Sequence, residues 1–231
     1  MSYFSFMSYI DFLKKKWSSG NLILRMLPFP LDYFYYCFFL QNDSKVPISQ
    51  GHTLGILGQA GVGKTTLYRQ LNKDYKGTDQ TYEDNVSSFK VVIDGKEITI
   101  AEGVDIGGAK QIQEKHWSNF LNEKDIIFYI FDLCDYLNNS DYKRDVNGDL
   151  KSLYAKQKEN GKPKHIRIIP SHAEKFKEAK DAIQGVHNLR EELINKEYGE
   201  LYLKHPIVPI DLRNEIMVKG MEQQLFGALA K

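Results

Sequence analysis

The chain has 231 residues, a net charge of +1 from nearly balanced basic and acidic side chains, and two cysteines, Cys37 and Cys134. That length suits one sizeable core with an appended segment, and the charge balance supplies no field that would draw in a nucleic acid. Two cysteines so far apart match neither a metal spacing nor a disulfide framework, so a reducing, cytoplasmic setting is expected.

Thirteen of the 29 aromatic residues fall within the first 40 positions, which sets this stretch apart from the rest. Phe4, Met7, Ile10 and Trp17 suggest one apolar helix face, with Lys14, Lys15 and Lys16 at its boundary, and residues 34–40 suggest a second short helix. The lysines follow the first apolar stretch, which is the wrong order for a secretory signal. Arg25, Pro28, Pro30 and Asp32 interrupt the longest apolar run, residues 22–40, so it does not read as a membrane span. A polar stretch over 41–50 then marks a boundary. We therefore expect an aromatic-rich helical extension over 1–50 and an α/β domain over 51–231.

Within that domain strands and helices alternate. Residues 53–57 read as a buried strand, 64–72 as a helix and 74–85 as a polar loop. Residues 86–93 and 97–104 flank Asp94-Gly95, a strong hairpin signal. A helix is expected over 110–121, a buried strand over 125–131 and a helix over 149–159, stopped by Gly161-Lys162-Pro163. Strands at 165–169 and 207–211 and helices at 174–196 and 215–230 complete the pattern, with a break expected near Gly185. The alternation predicts a mostly parallel six-stranded sheet with one antiparallel edge strand and helices on both faces.

The chemistry concentrates at Gly58-Gln59-Ala60-Gly61-Val62-Gly63-Lys64-Thr65, which fits the phosphate-binding pattern G-x-x-x-x-G-K-[ST] between a strand and a helix. Glycines let the backbone curl so that successive N–H groups face phosphate oxygens, and the helix that follows adds its positive end. Lys64 is expected to reach the β- and γ-phosphates and Thr65 to ligate magnesium, with Thr66 extending the cofactor-binding run. Asp105-Ile106-Gly107-Gly108 ends a strand about 40 residues later. An aspartate there is placed to hold magnesium, and the glycine pair permits close approach to a γ-phosphate.

These stretches, with Trp117 and the segment 126–136 (IIFYIFDLCDY), make residues 50–231 resemble the Ras superfamily of small GTPases, most nearly its Arf-like branch. The resemblance implies a P-loop G domain that binds GTP or GDP with magnesium and meets a protein effector or activator. It implies a magnesium-binding threonine in the first switch, for which Thr81 fits the spacing better than Thr78. It also implies a catalytic set of Lys64, Thr81 and Gly108 and a metal set of Thr65, Thr81 and Asp105. Arf-like proteins use an amphipathic N-terminal helix at membranes. For residues 1–40 that role stands beside two others, packing on the G domain and contact with a protein partner, so the protein is expected in the cytoplasm, with peripheral membrane contact as one reading.

Three segments depart from the family pattern. Ala109 stands where a glutamine normally orients the attacking water, and Gln111 and His116 are the nearby substitutes. This predicts slow or partner-dependent GTP hydrolysis, or a pseudo-GTPase that holds nucleotide without turnover; a P-loop ATPase is the more distant alternative. In place of [NT]-K-x-D stands Ser171-His172-Ala173-Glu174. Glu174 can accept guanine's N1–H and amine, with His172 against the base, but Ser171 and Glu174 also fit a helix capping box. Asp211-Leu212-Arg213-Asn214 replaces the last nucleotide-contacting loop. Asp132 and Asp135 read as a strand end and turn, and His165, His187 and His205 lack metal-ligand spacing.

Overall fold

The computed structural model describes residues 51–76, 83–107, 117, 119–160, 165–227 and 229. The predicted N-terminal helices, and with them Thr78, Thr81, Gly108, Ala109, Gln111 and His116, lie outside the described residues.

A parallel sheet carries the fold, in the order β1 (Leu54–Gly58), β6 (Ile126–Asp132) and β7 (His165–Ser171). All residues of these strands are buried, as expected for a sheet covered on both faces. The register pairs Leu54 with Ile126 and Ile126 with His165. All three strands therefore end at the same side of the sheet, and the loops that leave them share one rim.

The predicted hairpin is present and is broken in the middle. The strands β3 (Phe89–Ile93) and β4 (Lys96–Ile100) pair across Asp94-Gly95. Both turn residues have positive φ, 50° and 77°, as a type I′ turn requires. Beyond Ser87-Ser88 and Ala101-Glu102 the ribbon resumes as β2 (Glu83–Val86) against β5 (Gly103–Ile106). Each long predicted strand is thus two short ones, and β2 begins inside the stretch read from sequence as loop. A parallel bridge between His52 and Ile100 joins the ribbon to the β1 side of the sheet. At the other side the expected last strand is reduced to one parallel bridge, Ser171 to Ile210.

Helices cover the sheet. The first, α1 (Lys64–Leu71), buries Leu67, Tyr68 and Leu71, the i, i+1 and i+4 stripe of an amphipathic turn. A short α2 (Leu133–Asn138) is capped by Asp132, whose side chain accepts from the Asp135 N–H. The long α3 (Ser140–Asn160) begins earlier than predicted because Asn139 caps it, accepting from the Asp141 and Tyr142 N–H groups. Next, α4 (Ala179–Leu193) runs through Gly185 without a break. That glycine is there for packing: a Cβ would sit 3.0 Å from Leu137 Cδ1. A short α5 (Glu200–Leu203) follows, and then α6 (Glu215–Phe226), capped by Asn214. The last turn of α6 is held by two buried side chains of β7: His165 Nε2–H donates to the Leu225 carbonyl at 2.7 Å and Arg167 Nε–H to that of Gln224 at 3.0 Å. Burial and the Arg167 charge hold His165 well below the usual histidine range, so it is neutral.

Candidate functional site

The turn from β1 into α1 has the curl that its sequence pattern implies. Gly58 and Gly63 have φ of 144° and 98°. A Cβ on Gly58 would lie 2.1 Å from the Ile130 carbonyl oxygen, and one on Gly63 would lie 2.6 Å from Leu212 Cδ1. Gly58 therefore demands glycine twice over, by backbone conformation and by space, and Gly63 by its backbone conformation. Between them Ala60 and Gly61 are exposed, so the loop presents its tip to solvent while Val62 and Lys64 are buried beneath it.

Lys64 folds back under its own loop. Its Nζ donates to the Gly58 carbonyl at 2.9 Å and the Gln59 carbonyl at 2.8 Å. These use two of the three ammonium hydrogens. Burial lowers its pKa to about 8, against the opposing pull of Asp105. A buried ammonium held mainly by dipoles is a site short of negative charge.

Thr65, the next residue, donates its hydroxyl to Asp105 Oδ2 at 2.6 Å. The bond links the start of α1 to β5. Having spent its one hydrogen there, the Thr65 oxygen can take a further partner only as a donor or a cation. Asp105 is fully buried, and its Oδ1 has no hydrogen-bond partner among the described residues. Burial raises the Asp105 pKa, opposed by hydrogen bonds from Thr65 and Tyr75 and by the Lys64 charge. A buried orphan oxygen beside a donor-spent hydroxyl fits a hard divalent cation whose remaining positions are filled by phosphate and water. Among the described residues no group of three or more His, Cys, Asp or Glu is placed to hold a metal.

The end of β7 braces the other flank of the loop. Ser171 is fully buried and its hydroxyl lies 3.1 Å from the Val62 carbonyl and 3.0 Å from that of Phe131. It therefore ties the phosphate loop to the sheet rather than capping a helix. The capping-box reading of Ser171 and Glu174 fails on this contact, and the short 3-10 turn Ala173–Lys175 that follows has no side-chain cap. His172 takes a left-handed conformation, φ 61°, uncommon outside glycine. Its ring holds it there, with Nδ1 2.8 Å from Glu174 Oε1 and Nε2 3.1 Å from the Gly61 carbonyl. Arg213 NH2 approaches Glu174 Oε1 at 3.3 Å, and its Nε donates to Asp211 at 3.1 Å. His172, Glu174, Asp211 and Arg213 thus form one rim beside the loop. Asp132 and Asp135 sit at the start of α2, where Lys175 bonds both.

Four contacts were invisible in sequence. Tyr75 donates to Asp105 Oδ2 at 3.0 Å, from a stretch read only as polar loop. Gln59 Nε2 donates to Asp149 Oδ2 at 2.9 Å, and buried Tyr129 donates to the same oxygen at 2.7 Å. The Trp117 ring meets Tyr129 edge-on at 6.3 Å, so the loop, α3 and Trp117 share one network. Ser171 had a signal, the first position of the altered base motif; Tyr75 and Asp149 had none, because their partners lie 30 and 90 residues away.

A model of the ADP-ribosylation factor family matches residues 43–163. The matched span is more than half of the chain; it takes in the loop, Thr65, Tyr75, Asp105 and α3 and ends before β7. No curated protein matches the sequence.

The buried lysine generates a pH dependence. A phosphate ligand selects the charged ammonium, whose pKa in the free protein is about 8. Nucleotide affinity, measured by equilibrium titration between pH 7 and 9, is expected to be flat at the lower end and to fall above pH 8 toward roughly tenfold per unit. Affinity that stays level to pH 9 would show that Lys64 is not the group that titrates.

Proposed function

The chain belongs to the ADP-ribosylation factor family of small GTPases, and from that premise we propose that it is a GTP-binding switch protein whose own hydrolysis of GTP is slow or depends on a partner. One observation carries the reading. Buried Lys64 and the Thr65–Asp105 pair converge on the mouth of the glycine-curled loop, with the Asp105 Oδ1 left without a hydrogen-bond partner among the described residues.

In this reading the N–H groups from Gly61 to Thr66 cradle the β-phosphate, and the remaining Lys64 hydrogen bridges toward the γ-phosphate. Thr65 and Asp105 would hold magnesium, with Thr81 as the family pattern's third ligand. Magnesium, when bound, neutralises charge on the β- and γ-phosphate oxygens. Water attacks the γ-phosphate in line and Lys64 stabilises the charge that develops, with Gly108 assigned to the transferred group on the family pattern. Ala109 offers that water no hydrogen bond, and Gln59, the glutamine of the loop itself, is engaged by Asp149. Loss of the γ-phosphate releases Thr81 and Gly108 together, which is the switch.

Base selection is assigned to the β7 rim. Glu174 accepts from guanine N1–H and the exocyclic amine, and His172 lies along the base. Adenine presents an acceptor at N1, which would face the carboxylate unpaired. The observation that favours a pseudo-GTPase, Ala109, is the same one that favours slow turnover, and turnover separates them. For residues 1–40 we propose peripheral contact with a membrane from the cytoplasmic side, on the strength of their aromatic residues and the Lys14–Lys16 cluster.

Three measurements test this. In competition for a fluorescent GDP with magnesium present, GTP is expected to displace it and ATP to fail. Lys64→Ala is expected to abolish binding, and Glu174→Ala to weaken the guanine preference by about 10- to 100-fold; ATP competing equally would overturn the base assignment. Single-turnover hydrolysis is expected to run on the order of 10⁻⁴ s⁻¹ or slower, and Ala109→Gln to accelerate it; turnover faster than about 1 s⁻¹ without a partner contradicts the reading, and none at all in either protein selects the pseudo-GTPase. The full chain should float with anionic vesicles, and replacing Lys14, Lys15 and Lys16 with glutamate should leave it in the soluble fraction; equal partitioning of the two proteins removes the membrane role.

A further inference from the structure

Asp105 holds two donors on a single oxygen. Oδ2 accepts from Thr65 at 2.6 Å and from Tyr75 at 3.0 Å, while Oδ1, equally buried, accepts from none among the described residues. Thr65 alone does not fix this carboxylate, because one hydrogen bond leaves it free to rotate about its Cβ–Cγ axis and exchange its oxygens. A second donor on the same oxygen removes that freedom and leaves Oδ1 as the fixed atom without a hydrogen-bond partner among the described residues.

The Tyr75 hydroxyl is itself held in place. Its backbone N–H donates to the Asn72 carbonyl at 3.0 Å, which pins it to the end of α1. Its ring meets Tyr68 edge-on at 6.0 Å, and Tyr68 is buried beneath α1. Opposite Asp105 in the β2–β5 register stands Asp84, whose charge adds to the field on both Asp105 and Tyr75. Two carboxylates directly across an antiparallel pair repel. A hydrogen bond donated to Asp105 and a nearby cation both offset that repulsion, so the arrangement suits a carboxylate that is to stay ionised toward a metal.

We propose that Tyr75 is a positioning residue for the magnesium site: its hydroxyl, with that of Thr65, fixes the Asp105 carboxylate so that Oδ1 faces the cation. The inference rests on the reading of the loop as a magnesium–nucleotide site and adds a residue to it that the G-x-x-x-x-G-K-[ST] and D-x-G-G patterns do not contain. Tyr75 touches neither nucleotide nor metal; it acts through Asp105.

The test is Tyr75→Phe, which keeps the ring against Tyr68 and removes only the hydroxyl. Release of fluorescent GDP from the full-length protein is followed over a magnesium titration and again in excess EDTA. The variant is expected to need about 5- to 10-fold more magnesium for half-maximal retention, and to match the wild type in EDTA. A retention curve unchanged in magnesium overturns the proposal. So does acceleration by the same factor with and without magnesium, the mark of a structural role alone. If GDP release from the wild type is itself indifferent to magnesium, the metal-site reading falls and this inference with it, an outcome told apart by the wild-type curve alone. A matching melting temperature for the two proteins excludes loss of fold as the cause of any shift, and a variant that melts earlier is read by direct Mn²⁺ binding, monitored by EPR: weakened affinity supports the proposal and unchanged affinity overturns it.

Discussion

The hydrogen bond from Thr65 to Asp105 joins the first turn of α1 to the tip of β5. Everything at the rim is arranged around that contact. For Thr65 to reach it, the chain leaving β1 must turn within a few residues, and it can do so because Gly58 passes the Ile130 carbonyl without a side chain and Gly63 takes a positive φ. For Asp105 to reach it, β5 must end level with β1, which the His52–Ile100 bridge and the β2–β5 ladder arrange. The three-stranded parallel sheet supplies the rigid floor, with every residue of its strands buried.

The cost of this arrangement is electrostatic. Lys64 and Asp105 are buried charged groups, and both have pKa values moved toward neutrality by desolvation. They are not in contact with each other; Lys64 faces two carbonyls and Asp105 two hydroxyls. Such a layout stabilises a folded protein poorly, since a direct ion pair or apolar side chains would serve better. A polyphosphate beside the lysine and a divalent cation beside the aspartate, as the proposed function has them, would each restore the charge that burial disfavours. The placement of strain follows the same logic: His172, in a left-handed conformation, lies where the loop and β7 meet.

Much of this was legible in the sequence, for physical reasons that differ from element to element. The phosphate loop and the Asp94-Gly95 turn were readable because their backbone conformations admit few residue types. The parallel strands were readable as continuous apolar runs. What the sequence hid was tertiary. The division of the hairpin into two ladders depends on how the ribbon meets β1, and the start of α3 depends on the Asn139 cap. Gly185 looked like a helix breaker and is instead a contact point for Leu137. Ser171 looked like a helix cap because a serine followed three residues later by a glutamate satisfies that pattern, but its hydroxyl is drawn to the Val62 and Phe131 carbonyls. Tyr75 and Asp149 carried no local signal at all, since a lone tyrosine in a polar loop and a lone aspartate on a charged helix are ordinary surface residues until the fold closes.

The central claim is that one magnesium sits between Thr65 and Asp105 at the mouth of the Lys64 loop, with a guanine nucleotide's phosphates on the other side. Crystals of the GDP complex grown with manganese would locate the ion by its anomalous scattering. The account predicts a single peak at the rim, within ligand distance of Thr65 Oγ1 and facing Asp105 Oδ1, with the phosphates on the Gly61–Thr66 backbone. Phosphates bound away from that loop, or a manganese peak remote from both residues, would contradict it.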